Sequence, residues 1–128
     1  MTITRTNPAT VRAPMGYAHA VEVVNPSRRV AIAGQVGMRL DGTIPDTPEG
    51  QIAQCFDNFE AVLASVGMTA ANLVKITVFL TDRAHLAMMR AERAKRLAGT
   101  EVPASTLLFV SGLADERYIM EIEGEAAA

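Results

Sequence analysis

Between Ile52 and Val66, apolar residues recur at intervals of three and four: Ile52, Cys55, Phe56, Phe59, Val62, Leu63 and Val66. That spacing makes one stripe along an α-helix and fits no strand. A helix with a single apolar stripe must lay it against something, and the later segments supply the surface. "LVKITVFLT" (73–81) is a β-branched run and reads as a strand. "RYIMEIEGEA" (117–126) alternates, with Tyr118, Met120 and Ile122 on one face and Ile119, Glu121 and Glu123 on the other. The start of the helix is also written locally. Asp46 or Thr47 can cap it, Pro48 suits the first turn, Glu49 favours the positive end, and Gly67 stops it.

The remaining segments complete a layered fold. The first 14 residues are rich in Thr, Pro and Arg and are expected to be extended. "YAHAVEVV" (17–24) and "RVAIAG" (29–34) read as strands joined by the turn residues "NPSR", which predicts a hairpin. Asp82 is placed to cap a second helix running to about Ala98 and ended by Gly99. "TLLFVSG" (106–112) is apolar on both faces, as a fully buried strand is. The expected order is β-β-α-β-α-β-β, an α+β fold with one mixed sheet. Five strands span roughly 24 Å at the ordinary strand spacing, and two helices of about 10 Å diameter cover one face. Several strands carry apolar residues on both faces, so the second face predicts a homo-oligomer.

Length and composition narrow the function classes. A chain of 128 residues, 49% of them apolar, is long enough for one domain (1–128) with a real core. A net charge of -2 provides no field to attract nucleic acid or an anionic membrane. No apolar run approaches the length of a membrane span, and the N-terminus lacks the apolar core of a secretory signal, so a cytoplasmic protein is expected. Cys55 is the single cysteine, which rules out an intrachain disulfide and a CxxC metal site.

Each candidate for chemistry has a plainer alternative. His19 and His85 are far apart and read as surface or satisfied histidines, with no metal-ligand cluster around them. Cys55 sits in the helical stripe and reads as buried and structural. Arg83, Arg90, Arg93, Lys95 and Arg96 on the second helix read as a solvated face rather than a nucleic-acid surface, since no aromatic is interleaved and Glu92 interrupts them. Glu121 and Glu123 share a strand face about 7 Å apart, which suits either acid–base work or plain solvation. Ser105 and Thr106 follow Pro103 at a strand start. Ser105 lacks the GxSxG elbow of a nucleophile and is better placed to hydrogen-bond a ligand or the backbone.

"PMGYAHAV" (14–21), "VAIAGQVG" (30–37), "NLVKITVFLTD" (72–82), "VPAST" (102–106) and "MEIEGEA" (120–126) occur in that order. The ordered set resembles the Rid family, also called YjgF and once labelled L-PSP endoribonucleases. The resemblance implies a chorismate-mutase-like fold and a homotrimer with three small-molecule clefts between subunits. It also implies hydrolysis of reactive enamines and imines to 2-keto acids and ammonia, without metal or organic cofactor. Glu121 matches the family's strand glutamate, which positions water or a proton, and Tyr17 matches the tyrosine after the glycine turn. Ser105 stands where the family carries the arginine that holds the substrate carboxylate, and Ala33 stands where a serine is typical.

A bidentate arginine–carboxylate pair is charge-assisted and selective, whereas a serine offers one neutral hydrogen bond worth roughly 1 kcal/mol. A small anion therefore needs another cation in the cleft, and Arg12 is one candidate. The leading expectation is an arginine-lacking Rid-like trimer. Glu121 would activate water and Tyr17 would close the cleft. Ser105, Thr106, Ala33, Gly34 and Gln35 would bind a small carbonyl, imine or amide compound. The alternatives are a non-catalytic ligand-binding or chaperone-like trimer and, third, a ribonuclease, which the balanced charge and scarce aromatics disfavour.

Overall fold

A computed structural model describes residues 1–128. Its strands are β1 (Thr2–Thr6), β2 (Ala20–Val24), β3 (Arg29–Val36), β4 (Leu73–Leu80), β5 (Ala104–Phe109) and β6 (Met120–Ala127), with helices α1 (Pro48–Ser65) and α2 (Leu86–Arg96). The α+β class holds, with one strand more than expected, because residues 2–6 of the N-terminal segment form β1. β3, β6, β4 and β5 make a mixed sheet in that order: β6 is antiparallel to β3 and β4, and β5 is parallel to β4.

α1 begins and ends as its sequence dictates. The Thr47 hydroxyl accepts from the Gly50 amide at 3.0 Å, Pro48 and Glu49 fill the first turn, and Gly67 takes a positive φ of 72° just beyond the end. Its stripe of Ile52, Cys55, Phe56, Phe59 and Leu63 packs on Ile76, Val78 and Leu80 of β4 and on Met120 and Ile122 of β6. Met89 and Leu97 of α2 join the same core. Both helices thus lie on one face of the sheet.

Three expectations need correction. The predicted hairpin of 17–24 with 29–34 does not form: β2 pairs antiparallel with β1 in a separate two-stranded ribbon, and β3 pairs with β6. Asn25 turns the chain at a positive φ of 51°, and the amides of Ser27 and Arg28 then go to the Ala128 carbonyl at 2.8 and 2.9 Å. The turn residues therefore take the chain into a new layer instead of reversing it within one. The ribbon is tied at its other end by Arg5, which donates to the Val102 carbonyl at 2.8 Å and pairs with Glu101 at 2.8 Å. Between these ties β2 crosses the face away from the helices. Val21 and Val23 share an open groove of about 590 Å³ with Ala31 and Glu125. The second face is thus partly covered by the chain's own ribbon.

The second helix is shorter than expected. Asp82 caps a single tight turn, Arg83–His85, with its carboxylate accepting from the Ala84 amide at 2.8 Å, and α2 proper begins at Leu86. Finally, β5 is an edge strand and not a fully buried one. Leu107 and Phe109 face the helices, while Leu108 points the other way and is 43% exposed.

Candidate functional site

β6 alternates along its length, and this places the glutamates. Met120, Ile122 and Ala126 are buried under the helices. Glu121, Glu123 and Glu125 project from the opposite face, opposite Phe79, Thr77 and Lys75 of β4. Glu121 is half-buried where Glu123 and Glu125 are exposed. Its surroundings come from β3. A bulge between Ile32 and Gln35 sets Ala33 and Gly34 outside the regular ladder. The Glu121 carboxylate lies so close over Gly34 that a methyl group there would collide with it. Glycine at 34 thus leaves the room that the carboxylate occupies.

Polar side chains on α1 hold this corner rigid. Gln51 is buried; its amide donates to the Arg117 carbonyl at 3.0 Å and its oxygen accepts from the Ile119 amide at 2.6 Å, two residues before Glu121. Asn58 donates to the carbonyls of Val36 and Met38 at 2.8 and 2.7 Å. The Cys55 thiol donates to the Gln35 carbonyl at 3.1 Å, and the Gln35 side chain turns back to the Ala33 carbonyl at 3.1 Å. Burial, reinforced by the nearby Glu121 charge, pushes the Cys55 thiol up to about 12, so it stays protonated and serves as a donor, as expected for a structural cysteine.

Tyr17 and Ser105 lie elsewhere. Ala18 bridges Ala104 in parallel, its amide donating to the Pro103 carbonyl at 3.0 Å, so Tyr17 sits beside the start of β5. Ser105 is in register with Ile76 and faces the helix side, whereas Thr106 faces the other way and accepts from Lys75 Nζ. The Tyr17 ring meets His19 edge-on at 5.5 Å, and His19 Nε2 bonds the Arg12 carbonyl at 2.7 Å. The Arg12 side chain itself is exposed.

The sequence-derived residues therefore fall into two groups. Glu121, Ala33, Gly34 and Gln35 gather at β3 and β6; Tyr17, Ser105 and Thr106 gather at the β5 edge. Ser105 and Glu121 are two strands and three residues apart, roughly 14 Å in the plane of the sheet, and on opposite faces. The groove under the ribbon belongs to neither group.

The basic residues between Arg83 and Arg96 are not one solvated face. Arg83 stacks over Phe109 at 4.4 Å. Arg96 is 17% exposed and bonds Asp57, Glu60 and Glu92 at 2.7, 3.0 and 2.8 Å. Arg93 is 7% exposed and touches the Gly16 turn, where a methyl group would lie 3.0 Å from its Nη2. Arg93 was legible only as a surface charge, yet it falls in step with Met89 and Leu97 at intervals of four, which is the signal that marks it as inward-facing. His85 likewise departs from a satisfied histidine, since its Nδ1 is sealed without a partner.

This architecture has many solved counterparts. YyfB of Yersinia pestis, described as a member of the conserved Rid protein family, superposes with a TM-score of 0.90 at 29% identity, covering 100% of both chains. The family model described as Endoribonuclease L-PSP matches residues 9–128. The chain belongs to this family, the Rid family. Among curated relatives, a RutC family protein of Haemophilus influenzae is 32% identical over 84 residues, 65% of each chain. A protein of Escherichia coli named 2-iminobutanoate/2-iminopropanoate deaminase is 29% identical over 84 residues, 65% of this chain and 66% of its own length. The matched stretches thus cover just under two thirds of these curated relatives.

Proposed function

We propose that this Rid-family chain assembles as a homotrimer and hydrolyses the C–N bond of a small imine or enamine in clefts between subunits. The observation that carries this reading is the Glu121 carboxylate seated against Gly34 at the β3 bulge. It is half-buried, its surrounding backbone is fixed by α1 where Gln51 bonds Ile119 and Cys55 bonds Gln35, and it is free of any salt bridge that would consume it. Such a carboxylate can take a proton from water as it adds to an imine carbon, then return it to the departing amine. The β5-edge group would come from the neighbouring subunit, because one chain cannot bring Tyr17 or Ser105 to Glu121. Tyr17 closes the cleft, while Ser105, Thr106 and the backbone around Ala33, Gly34 and Gln35 contact the substrate.

The relative named as an iminobutanoate deaminase supports this substrate class. No helix is long and apolar enough to cross a membrane, in keeping with action on a dissolved metabolite in the cytoplasm.

The test supplies 2-iminobutanoate freshly made by an amino-acid oxidase and follows its hydrolysis. Wild type should accelerate the loss, and Glu121→Gln should cut the rate by about 100-fold or more, the usual weight of a general base. Equal rates for the two proteins would overturn the catalytic assignment. A second reading, a non-catalytic ligand-binding trimer, is favoured by Ser105 in place of the expected arginine. Saturable binding of 2-oxobutanoate with no rate enhancement would establish it.

A further inference from the structure

Arg93 is the one charged side chain that is buried in this molecule, and its guanidinium has no partner. It forms no ion pair, and the charged or titratable groups that act on it are Arg90, a like charge one turn away, and Tyr17. Its neighbour Arg96 shows what α2 does with a structural arginine: three carboxylates and the Ala53 carbonyl surround it. A buried cation without a partner is costly, so its persistence needs a reason. Nor is it sealed. His85 Nδ1 is the side-chain polar atom that is both closed to solvent and unpartnered, whereas Arg93 keeps 7% of its surface open to solvent.

The nearest contact of the guanidinium comes from the N-terminal segment. Gly16, at a φ of 78°, lies against Nη2, and Tyr17 follows it. Ala18 then bridges to Ala104, and Ser105 faces the helix side where α2 lies. A side chain at position 16 would press on the guanidinium, so the glycine keeps the approach open.

We propose that Arg93 is an anion anchor that binds the carboxylate of a small 2-keto or 2-imino acid beside Tyr17 and Ser105. A planar guanidinium grips a planar carboxylate through two parallel hydrogen bonds, and Tyr17 follows the Gly16 turn that touches it. Arg93 is fixed on a helix whose own position is locked through Arg96, so the fork is held ready before the ligand arrives. The assignment rests on reading the Tyr17–Ser105 group as half of the ligand cleft, and it supplies the cation that position 105 lacks.

The experiment titrates the intact protein with 2-oxobutanoate, which is stable, and with 2-butanone, which lacks the carboxylate. Arg93→Met should weaken 2-oxobutanoate binding about tenfold or more and leave 2-butanone binding unchanged; Arg93→Lys should fall between. Thermal melts should show Arg93→Met at least as stable as wild type, since an unpaired buried charge is gone and the volume is kept. In wild type, an arginine Nε–H NMR signal absent from Arg93→Lys should shift with 2-oxobutanoate and not with 2-butanone. Should the methionine variant fail to fold, wild type and the lysine variant still give the answer. Unchanged affinity in Arg93→Met, or no arginine signal that moves in wild type, would overturn the proposal. Arg93-dependent carboxylate binding without imine hydrolysis would leave it standing and overturn the catalytic reading. Hydrolysis with a KM indifferent to Arg93→Met would do the reverse.

Discussion

Leu80 on β4 is sealed beneath the helices, while Leu108 on the adjacent β5 is 43% exposed on the opposite face. The same contrast runs across the whole sheet. On the helix side, Ile76, Val78, Met120 and Ile122 pack against α1 with almost no polar atom among them. On the other side, Glu121, Glu123 and Glu125 line β6, Lys75 bonds Thr106, and the β1–β2 ribbon crosses only one end. One face carries the stability of the chain. The other keeps charge and apolar surface side by side, the composition of a surface that meets both a partner and a ligand.

The largest effect should come from the sealed face. Leu80→Ala leaves a cavity in a closed core and should cost about 3 kcal/mol in urea unfolding. A loss below about 1 kcal/mol would mean that this face is not the close-packed one. Next comes Arg96, which ties α2 to α1 through partly screened carboxylates. Arg96→Met should cost about 2 kcal/mol by the same measurement, less than a fully buried network would. The surrounding carboxylates outweigh the desolvation of Arg96 and hold its proton more tightly than usual, so this contribution should persist throughout the alkaline range.

Cys55 gives a smaller effect with a definite sign. Below pH 9 the thiol is protonated in both folded and unfolded chains and adds no pH dependence. Between pH 9 and about 12 the unfolded thiol ionises while the folded one, desolvated and close to Glu121, keeps its proton. Stability should then fall by about 1 kcal/mol per pH unit over that window relative to Cys55→Ala, which removes the slope. Parallel curves for the two proteins would mean that the thiol is more open to water than its place in α1 indicates.

Smallest is Leu108→Ala. In a separated chain it should shift stability by less than about 1 kcal/mol, because the side chain already meets solvent. In an assembled trimer it should instead raise the concentration at which subunits separate, readable by sedimentation. No effect on either quantity would remove Leu108 from the subunit contact.

Much of the sealed face was legible in the sequence because its signals are local. The 52–66 stripe, the Thr47–Pro48–Glu49 start and the alternation of β6 each lie within one element. What was missed depends on distant partners. "NPSR" carries ordinary turn chemistry, and nothing within it says that the Ala128 carbonyl will claim the next two amides and send β2 to β1. The β3 bulge depends equally on distant residues, since the register shift lies in the pairing of β3 with β6. The site residues were legible by resemblance, but their division into two separate groups was not. Arg93 carries two opposed signals, a charge that favours the surface and a spacing from Met89 and Leu97 that turns it inward, and the spacing prevails.

In the proposed assembly, neither group of site residues works within a single chain. Subunit mixing tests it directly. Glu121→Gln and Tyr17→Ala each disable one group, and each homotrimer should be nearly inactive in imine hydrolysis. When the two are unfolded together and reassembled in equal amounts, some clefts receive an intact Glu121 from one subunit and an intact Tyr17 from the next. Random assembly should restore about a quarter of wild-type activity. If each chain carried its own complete site, no mixture could contain a working one, and activity that stays at the level of the separate variants would contradict the account.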